Sequence, residues 1–208
     1  LGVVKSDAYG HGLVEVARVL QREGVDMLGV GDVWEGAALR AAGITKPILV
    51  LSALPESAIP ESIDRDLTLT VPSLNFAQQL ATVAASKARV VKVHCVIDTG
   101  MGRIGFQPEN AASEIAAILR YSNLDIEGIS THFPRATAER DSFTLNQLKV
   151  FENVVKQLED RGVPFELTHA SNSAGIINYP TAQFDMVRPG IVLYGVAPTR
   201  ALRGKLDL

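Results

Sequence analysis

Residues 1–31 have the sequence LGVVKSDAYGHGLVEVARVLQREGVDMLGVG, in which two short apolar runs flank a polar loop and a helical segment. Between about Leu13 and Arg22 the apolar residues recur with helical spacing, which predicts an amphipathic helix. A strand, a crossover helix and a second strand favour parallel pairing with a right-handed crossover. This stretch therefore predicts the repeating unit of an α/β fold.

The same alternation of strand and helix continues along the chain. Asp32 and the glutamate three residues on predict a capping-box-like helix start, Gly43 ends that helix, and further helices follow Ser73, Glu109 and Ser142. We predict that eight such units close into a (β/α)8 TIM barrel; a doubly wound open sheet is the alternative that periodicity does not separate from it. The predicted strands are Leu1–Lys5, Met27–Gly31, Ile48–Leu51, Leu67–Val71, Val90–Asp98, Asp125–Thr131, Phe165–His169 and Asp185–Arg188.

Composition narrows the class of protein. Of the 208 residues, 47% are hydrophobic and 21% charged, as in an ordinary globular domain. The net charge of −3 lacks the excess of basic residues that is typical of nucleic-acid-binding proteins. No apolar stretch approaches the ~20 residues that span a bilayer. The single cysteine, Cys95, excludes an internal disulfide framework and lies in an apolar run typical of a packed strand. We therefore expect a cytoplasmic protein with no signal peptide and no membrane partner, and the four histidines lack the spacing of metal ligands.

Polar residues lie at the predicted carboxyl ends of strands, where α/β folds place function. Lys5 ends the first strand, where a partly desolvated amine can attack an aldehyde; a strand-end lysine that reaches solvent is the alternative. Arg103 lies in a glycine-rich loop that suits a carboxylate or phenolate partner, or is a surface arginine. His132 ends the sixth strand and suits acid–base work or stacking on a flat ligand, or is a satisfied strand-end histidine.

The loop that carries Arg103 also contains Gly100, Gly102 and Gly105 in the spacing of a dinucleotide fingerprint. That fingerprint requires a helix to open within the loop, whereas Pro108 predicts a later helix start. We therefore reject dinucleotide binding.

Residues after the predicted seventh and eighth strands predict a phosphate site, which is the usual place for one in this barrel. The Ser173 hydroxyl can donate to phosphate, and Gly190 lets the backbone approach so that its amide and that of Ile191 reach phosphate oxygens. For Asn172 and Ser173 helix capping is the alternative, and it is compatible with phosphate binding.

Five segments together resemble the alanine racemase family, and they occur in family order across essentially the whole chain. They are VVKSDAYGHG (3–12), DTGMGRIG (98–105), STHF (130–133), HASNS (169–173) and the segment 185–195. The resemblance implies the N-terminal barrel of a fold-type III pyridoxal-5′-phosphate (PLP) enzyme over residues 1–199. Residues 200–208 would begin a linker to a C-terminal β domain.

The resemblance also implies roles for the residues of the site. Lys5 would form the Schiff base with PLP and act as one of two catalytic bases, with Arg103 and His132 as further catalytic groups. Arg188 would face the ring nitrogen with His169 behind it, His132 would stack on the ring, and Arg103 would lie near the phenolic oxygen and the substrate carboxylate. The implied cofactor-binding residues are Lys5, Tyr9, Arg103, His132, His169, Asn172, Ser173, Arg188, Gly190 and Ile191.

The implied activity is that of an isomerase that interconverts L- and D-alanine, supplying D-alanine for peptidoglycan, in a homodimeric full-length protein. The base on the opposite face of the substrate would be a tyrosine of the partner's C-terminal domain, so this chain is expected to be a fragment that lacks it. Val96 is a departure, because some relatives carry a carbamate-modified lysine there that orients the arginine. A broad-specificity amino-acid racemase and a stand-alone PLP-binding homeostasis barrel are the alternatives.

Overall fold

A computed structural model describes residues 1–199 of the chain, so the predicted linker over 200–208 lies outside the described residues. Seven parallel strands form one sheet in which each strand pairs with the next in sequence. A doubly wound sheet would reverse its strand order at a switch point, and this sheet does not. The strands are β1 (Gly2–Val3), β2 (Leu28–Val30), β3 (Ile48–Val50), β4 (Thr68–Val71), β5 (Val91–Val96), β6 (Leu124–Ser130) and β7 (Leu167–His169).

Helices follow the strands, as the alternation of patterns predicts. Their apolar stripes are buried, with Leu39, Leu80 and Phe151 fully enclosed. The helices are α1 (Lys5–Gly10), α2 (Leu13–Arg22), α3 (Val33–Ala41), α4 (Ile59–Asp64), α5 (Leu74–Ser86), α6 (Pro108–Ala116), α7 (Ser142–Asp160) and α8 (Ser173–Asn178). Short 3₁₀ turns cover Glu56–Ala58, Ala117–Arg120, Pro180–Ala182 and Ile191–Tyr194.

The predicted capping residues cap their helices, with one difference. Asp32 accepts a hydrogen bond from the Glu35 N–H at 2.9 Å, and Ser73 accepts one from Phe76 at 3.2 Å. The Glu35 carboxylate, however, does not close a capping box, because it accepts from the N–H of Gly31 at 2.7 Å. This carboxylate therefore ties helix α3 to the carboxyl end of β2.

The predicted eighth strand over 185–188 does not form a regular strand, and only an isolated bridge joins Arg188 to Asn172. Pro189 follows at once and has no N–H for a ladder, which explains why regular pairing stops here. The segment nevertheless lies between β7 and β1. Arg188 N–H donates to Ser171 O at 2.9 Å, and Val3 N–H donates to Pro189 O at 3.0 Å. The observed fold is thus an α/β fold built on a curled, seven-stranded parallel sheet.

Candidate functional site

A cavity of about 600 Å³ opens at the carboxyl ends of the strands. Every residue that the sequence predicted to bind a cofactor lines this cavity. Helix α6 begins at Pro108, as predicted, so the glycines of the rejected dinucleotide fingerprint lie in the loop before it. The structure therefore brings together residues that are far apart in the sequence: Lys5, Tyr9, Arg103, His132, His169, Asn172, Ser173, Arg188, Gly190 and Ile191.

Lys5 follows β1 after one residue, Val4, and is the first residue of an unusual turn. Ser6, Asp7, Ala8 and Tyr9 all have φ between 52° and 56°, so α1 is a left-handed turn of four consecutive non-glycine residues. Each such residue costs roughly 1–2 kcal/mol, and strain of this kind persists only where the surroundings impose it. The sequence pattern predicted a polar loop here, and its conformation was not foreseen.

Two acidic side chains hold this left-handed turn in place. The Asp7 carboxylate accepts from the Leu13 N–H at 2.7 Å, so it also caps the start of α2. Glu35 accepts from the Asp7 N–H at 3.2 Å with the same carboxylate that binds Gly31. The direction in which Lys5 leaves β1 is therefore fixed by contacts from both α2 and α3.

Hydroxyl and amide groups from separate segments converge at one part of the cavity wall. The Gly190 N–H donates to Ser173 Oγ at 2.9 Å. A Cβ built on Gly190 would lie 2.5 Å from the Tyr9 hydroxyl oxygen and 3.8 Å from Ser173 Oγ, so only glycine leaves this space open. Tyr194 packs its ring 5.0 Å from that of Tyr9 and donates its hydroxyl to Val3 O at 2.8 Å. Tyr9, Ser173 and Gly190 thus form a small polar recess in the cavity wall.

Asn172 performs the capping role that was the alternative for it. Its side-chain oxygen accepts from the Gly175 N–H at 3.1 Å, and its amide nitrogen donates to Phe133 O at 2.9 Å. The same nitrogen lies 3.5 Å from His132 Nε2. Asn172 thus connects the first turn of α8 to the loop that carries His132.

Arg188 is fully buried and its guanidinium is held on three sides. It donates to His169 Nδ1, to Thr131 O at 2.7 Å and to Ala170 O at 2.9 Å. Burial lowers the pKa of Arg188 to about 10, which still leaves it charged near neutral pH. The cavity wall therefore carries a fixed positive charge with a rigid orientation.

Arg103 lies on the cavity in a loop shaped by Asp98. The Asp98 carboxylate accepts from the N–H groups of Gly100 at 3.1 Å and Gly102 at 2.9 Å. Val96 also lines the cavity, so an apolar side chain stands at the position of the modified lysine that some relatives carry.

His132 is largely buried among positive charges. Desolvation, followed by the charges of Arg188, Arg103 and Lys5, lowers its pKa to about 3. All three cations line the same cavity as this ring. Because the ring is neutral near neutral pH, it cannot donate an extra proton there, and a flat neutral ring is suited to stacking.

The lowered pKa of His132 predicts acid sensitivity. Between the ordinary value of 6.5 and about 3, an unfolded chain binds a proton at this ring that the folded chain does not. Stability is therefore lost as the pH falls through this window, by up to ~1.4 kcal/mol per pH unit for this group. Urea unfolding at about pH 7.5 and about pH 5.5 measures the loss. His132→Phe is expected to show a smaller loss, and equal losses in the two proteins would contradict the assignment.

Sequence reasoning missed several residues of this region. Ser52 and Thr70 line the cavity, and Thr131 places its carbonyl on Arg188. His94 and Glu127 lie behind the cavity wall and contact each other at 3.0 Å. A histidine inside VKVHCV (91–96) and a glutamate inside LDIEGIS (124–130) were the signal for a buried polar pair. Cys95, in contrast, is a fully buried strand residue as predicted, and burial raises the pKa of its thiol far above its ordinary value.

Within residues 1–199 no helix has the length and apolarity needed to cross a membrane. In the same range no group of three or more His, Cys, Asp or Glu side chains is arranged to hold a metal ion.

Comparisons with known proteins identify the family of this chain. The family model for the N-terminal domain of alanine racemase matches residues 1–198. The alanine racemase of Desulforamulus reducens is 42% identical over all of this chain and 57% of its own length, and that of Methanococcus maripaludis is 42% identical over 96% of this chain and 54% of its own. This chain therefore spans about half the length of these relatives.

Solved structures show the same relationship. Alanine racemase of Clostridium difficile 630 in complex with cycloserine superposes with a TM-score of 0.97 at 42% identity, over 100% of this chain and 57% of that one. Alanine racemase of Bacillus anthracis with bound L-Ala-P gives 0.90 at 32% identity, over 100% of this chain and 54% of that one. By sequence match, identity and structure alike, the chain belongs to the alanine racemase N-terminal domain family.

Proposed function

We propose that this chain is the PLP-binding part of an enzyme that racemises alanine. The observation that carries the proposal is the placement of Lys5 and the recess of Tyr9, Ser173 and Gly190 on one cavity of about 600 Å³. An aldehyde-reactive amine and an anion recess on the same cavity are what an aldehyde that also carries a phosphate requires.

The residues present fit PLP. The recess that a Cβ on Gly190 would fill accepts phosphate oxygens, with the Tyr9 and Ser173 hydroxyls and the Ile191 amide around it. The Gly190 N–H already donates to Ser173 Oγ, so we assign Gly190 mainly the role of leaving space. The neutral ring of His132 would stack on the pyridine, and Asn172 holds that ring in place.

When bound, PLP supplies an electron sink for the substrate α-carbon. Lys5 holds and moves the proton on one face of that carbon. Arg188 lines the cavity and stays protonated near neutral pH, so it would leave a ring nitrogen bound beside it without a proton and would disfavour transamination. Arg103 is placed to bind a carboxylate near the same cavity.

We further propose that the described sheet and segment 185–189 form the eight-unit barrel of the family, since that segment is hydrogen-bonded to both β7 and β1. The full-length protein would be a cytoplasmic homodimer in which the opposite-face base comes from the partner, as the family resemblance implies. The buried, free thiol of Cys95 is compatible with a reducing compartment.

The activity is tested by measuring the interconversion of L- and D-alanine in both directions by the full-length polypeptide with added PLP. We expect turnover of alanine to exceed that of larger amino acids. Comparable rates with larger side chains would favour the broad-specificity racemase, and PLP binding without turnover would favour the homeostasis barrel. The relative from B. anthracis with bound L-Ala-P favours alanine among these alternatives.

Gly190→Ala is expected to weaken PLP binding at least tenfold, because the new methyl group would lie 2.5 Å from the Tyr9 hydroxyl and occupy the phosphate recess. Fluorescence titration of the cofactor-free protein with PLP measures the change. Inorganic phosphate should compete in the wild-type protein and lose that effect in the variant. Unchanged PLP affinity would contradict the assignment of the recess.

A further inference from the structure

Behind Arg188, a chain of buried polar side chains runs through the interior of the curled sheet. Arg188 Nη1 lies 2.5 Å from His169 Nδ1, and His169 Nε2 lies 2.7 Å from His94 Nδ1. His94 Nε2 contacts Glu127 Oε2 at 3.0 Å, and Glu127 Oε1 contacts Lys92 Nζ at 2.5 Å. The first four residues are buried, whereas the Lys92 side chain is 56% exposed at the start of β5. The chain therefore links the cavity to solvent at the opposite end of the sheet.

The backbone makes room for this chain at two places. The β5–β6 register pairs Val93 with Ile126 and then His94 with Gly128, so Glu127 is an extra, bulged residue. Bulges of this kind re-aim a side chain next to a site. A Cβ on Gly128 would lie 2.7 Å from His94 Nδ1, so the glycine provides the space for the imidazole. The interior of such a sheet is normally filled with branched apolar residues, so a connected row of polar side chains is unusual there.

The chemistry of the two ends fixes the direction of every hydrogen bond between them. A guanidinium only donates, so His169 Nδ1 must accept from Arg188 and His169 must carry its proton on Nε2. His94 Nδ1 then accepts from His169, and His94 carries its proton on Nε2. That proton needs an acceptor, and the Glu127 carboxylate provides it. Hydrogen bonds from His94 and Lys92 lower the pKa of Glu127 to about 2, so it is ionised near neutral pH.

This row of polar side chains also supplies a negative charge, that of Glu127, for the buried Arg188 cation, which has no carboxylate among its hydrogen-bond partners within residues 1–199. Within the described part of the chain, Arg188 donates to the neutral His169 ring and to the carbonyls of Thr131 and Ala170. Removing a charge from water costs several kcal/mol unless it is compensated. Glu127, two imidazoles away, is the buried anion that completes the chain.

We propose that Glu127, acting through His94 and His169, is a positioning residue for Arg188: by accepting the last hydrogen bond it fixes both imidazole tautomers, and so keeps the acceptor that orients the guanidinium. The inference rests on the proposed function only for its effect on turnover. The order of protonation along the chain is a property of the protein without cofactor.

Glu127→Met tests the proposal, because methionine has a similar volume and offers His94 no comparable acceptor. The His94 proton is then expected to move to Nδ1, which makes His169 Nε2 an acceptor and puts the His169 proton on Nδ1, facing Arg188. Glu127→Gln is the rescue variant, since its amide oxygen still accepts from His94 while Lys92 turns into solvent. Lys92→Met is the matched control, because it removes a charge from the same cluster and leaves the carboxylate in place.

The first measurement is ¹⁵N NMR of histidine-labelled, cofactor-free, full-length protein. We expect His94 and His169 to be protonated on Nε2 in the wild type, in Glu127→Gln and in Lys92→Met, and to lose this pattern in Glu127→Met. Protonation on Nδ1 of either ring in the wild type overturns the proposal, and this result needs no variant to fold. An unchanged Nε2 pattern in a folded Glu127→Met protein overturns it as well.

The second measurement is turnover with bound PLP. In Glu127→Met, kcat is expected to fall about tenfold or more with a smaller change in KM for alanine, and the ratio of transamination to racemisation to rise. Glu127→Gln should stay within about threefold of wild type. Equal losses in Glu127→Gln and Glu127→Met would show that the charge and not the acceptor matters, and would overturn the tautomer argument. Absence of racemisation in the wild type, with the expected tautomers intact, would instead reject the proposed function.

Discussion

Lys5→Ala is expected to reduce alanine racemisation at least ~10³-fold, because it removes both the amine that bonds the cofactor and the base on one face of the substrate. The substitution should not disturb the fold. The left-handed turn is held by Asp7 and Glu35, not by Lys5, so the thermal midpoint should change little. Racemisation of L- and D-alanine by the full-length protein, with PLP present, gives the rate.

In Lys5→Ala, noncovalent binding of PLP should be distinguishable from its covalent attachment. The phosphate recess of Tyr9, Ser173 and Gly190 remains intact in Lys5→Ala, so PLP should still bind but should leave on dialysis, and the visible absorbance of the bonded cofactor should vanish. Lys149→Ala, on the exposed face of α7, is the matched control and should retain both properties. Persistent visible absorbance in Lys5→Ala would assign the bonded amine to another residue.

Arg188→Glu is expected to destabilise the protein by about 3–5 kcal/mol, because a carboxylate there would face acceptors only. Its neighbours would be the carbonyl oxygens of Thr131 and Ala170 and the unprotonated Nδ1 of His169. For a chain of this size such a loss corresponds to a drop of roughly 10 °C in Tm. Thermal unfolding of the cofactor-free protein, followed by circular dichroism, measures it.

Arg188→Lys provides the comparison for this second change. The ammonium keeps the positive charge but cannot span three acceptors with a planar fork, so its Tm should lie between those of the wild type and Arg188→Glu. A Tm for Arg188→Glu within about 2 °C of the wild type would mean that the carboxylate finds donors or solvent, and that the buried geometry of Arg188 is wrong.

Much of the fold follows from local patterns in the sequence. Seven of the eight predicted strands are present within a few residues of their predicted bounds, because short apolar runs between helical segments are buried on both faces. The eighth failed because Pro189 and Gly190 interrupt the ladder, although the segment still occupies the space beside β1. Because parallel strands all end on the same side of the sheet, the predicted site residues at or after their carboxyl ends line one cavity.

The parts that could not be predicted depend on contacts between distant residues. Of the four residues Ser6-Asp7-Ala8-Tyr9 only Asp7 is of a type that visits left-handed angles readily, so the sequence does not predict four of them in a row. The turn is held by a carboxylate from α3 and by the start of α2. The buried chain behind Arg188 requires a one-residue bulge at Glu127, which shifts the alternation that a strand pattern relies on. The lowered pKa of His132 likewise arises from burial of the ring and, after that, from three cations on separate segments.

The left-handed turn has a consequence for engineering. Its backbone angles are the mirror image of an ordinary helical turn, so each L-residue there works against its own chirality, whereas glycine would not. Ala8 is fully enclosed and Ser6 is exposed, so position 6 is the place where a glycine could relieve backbone energy without leaving a void. We therefore expect Ser6→Gly to raise the free energy of unfolding by relieving strain in the segment that carries Lys5.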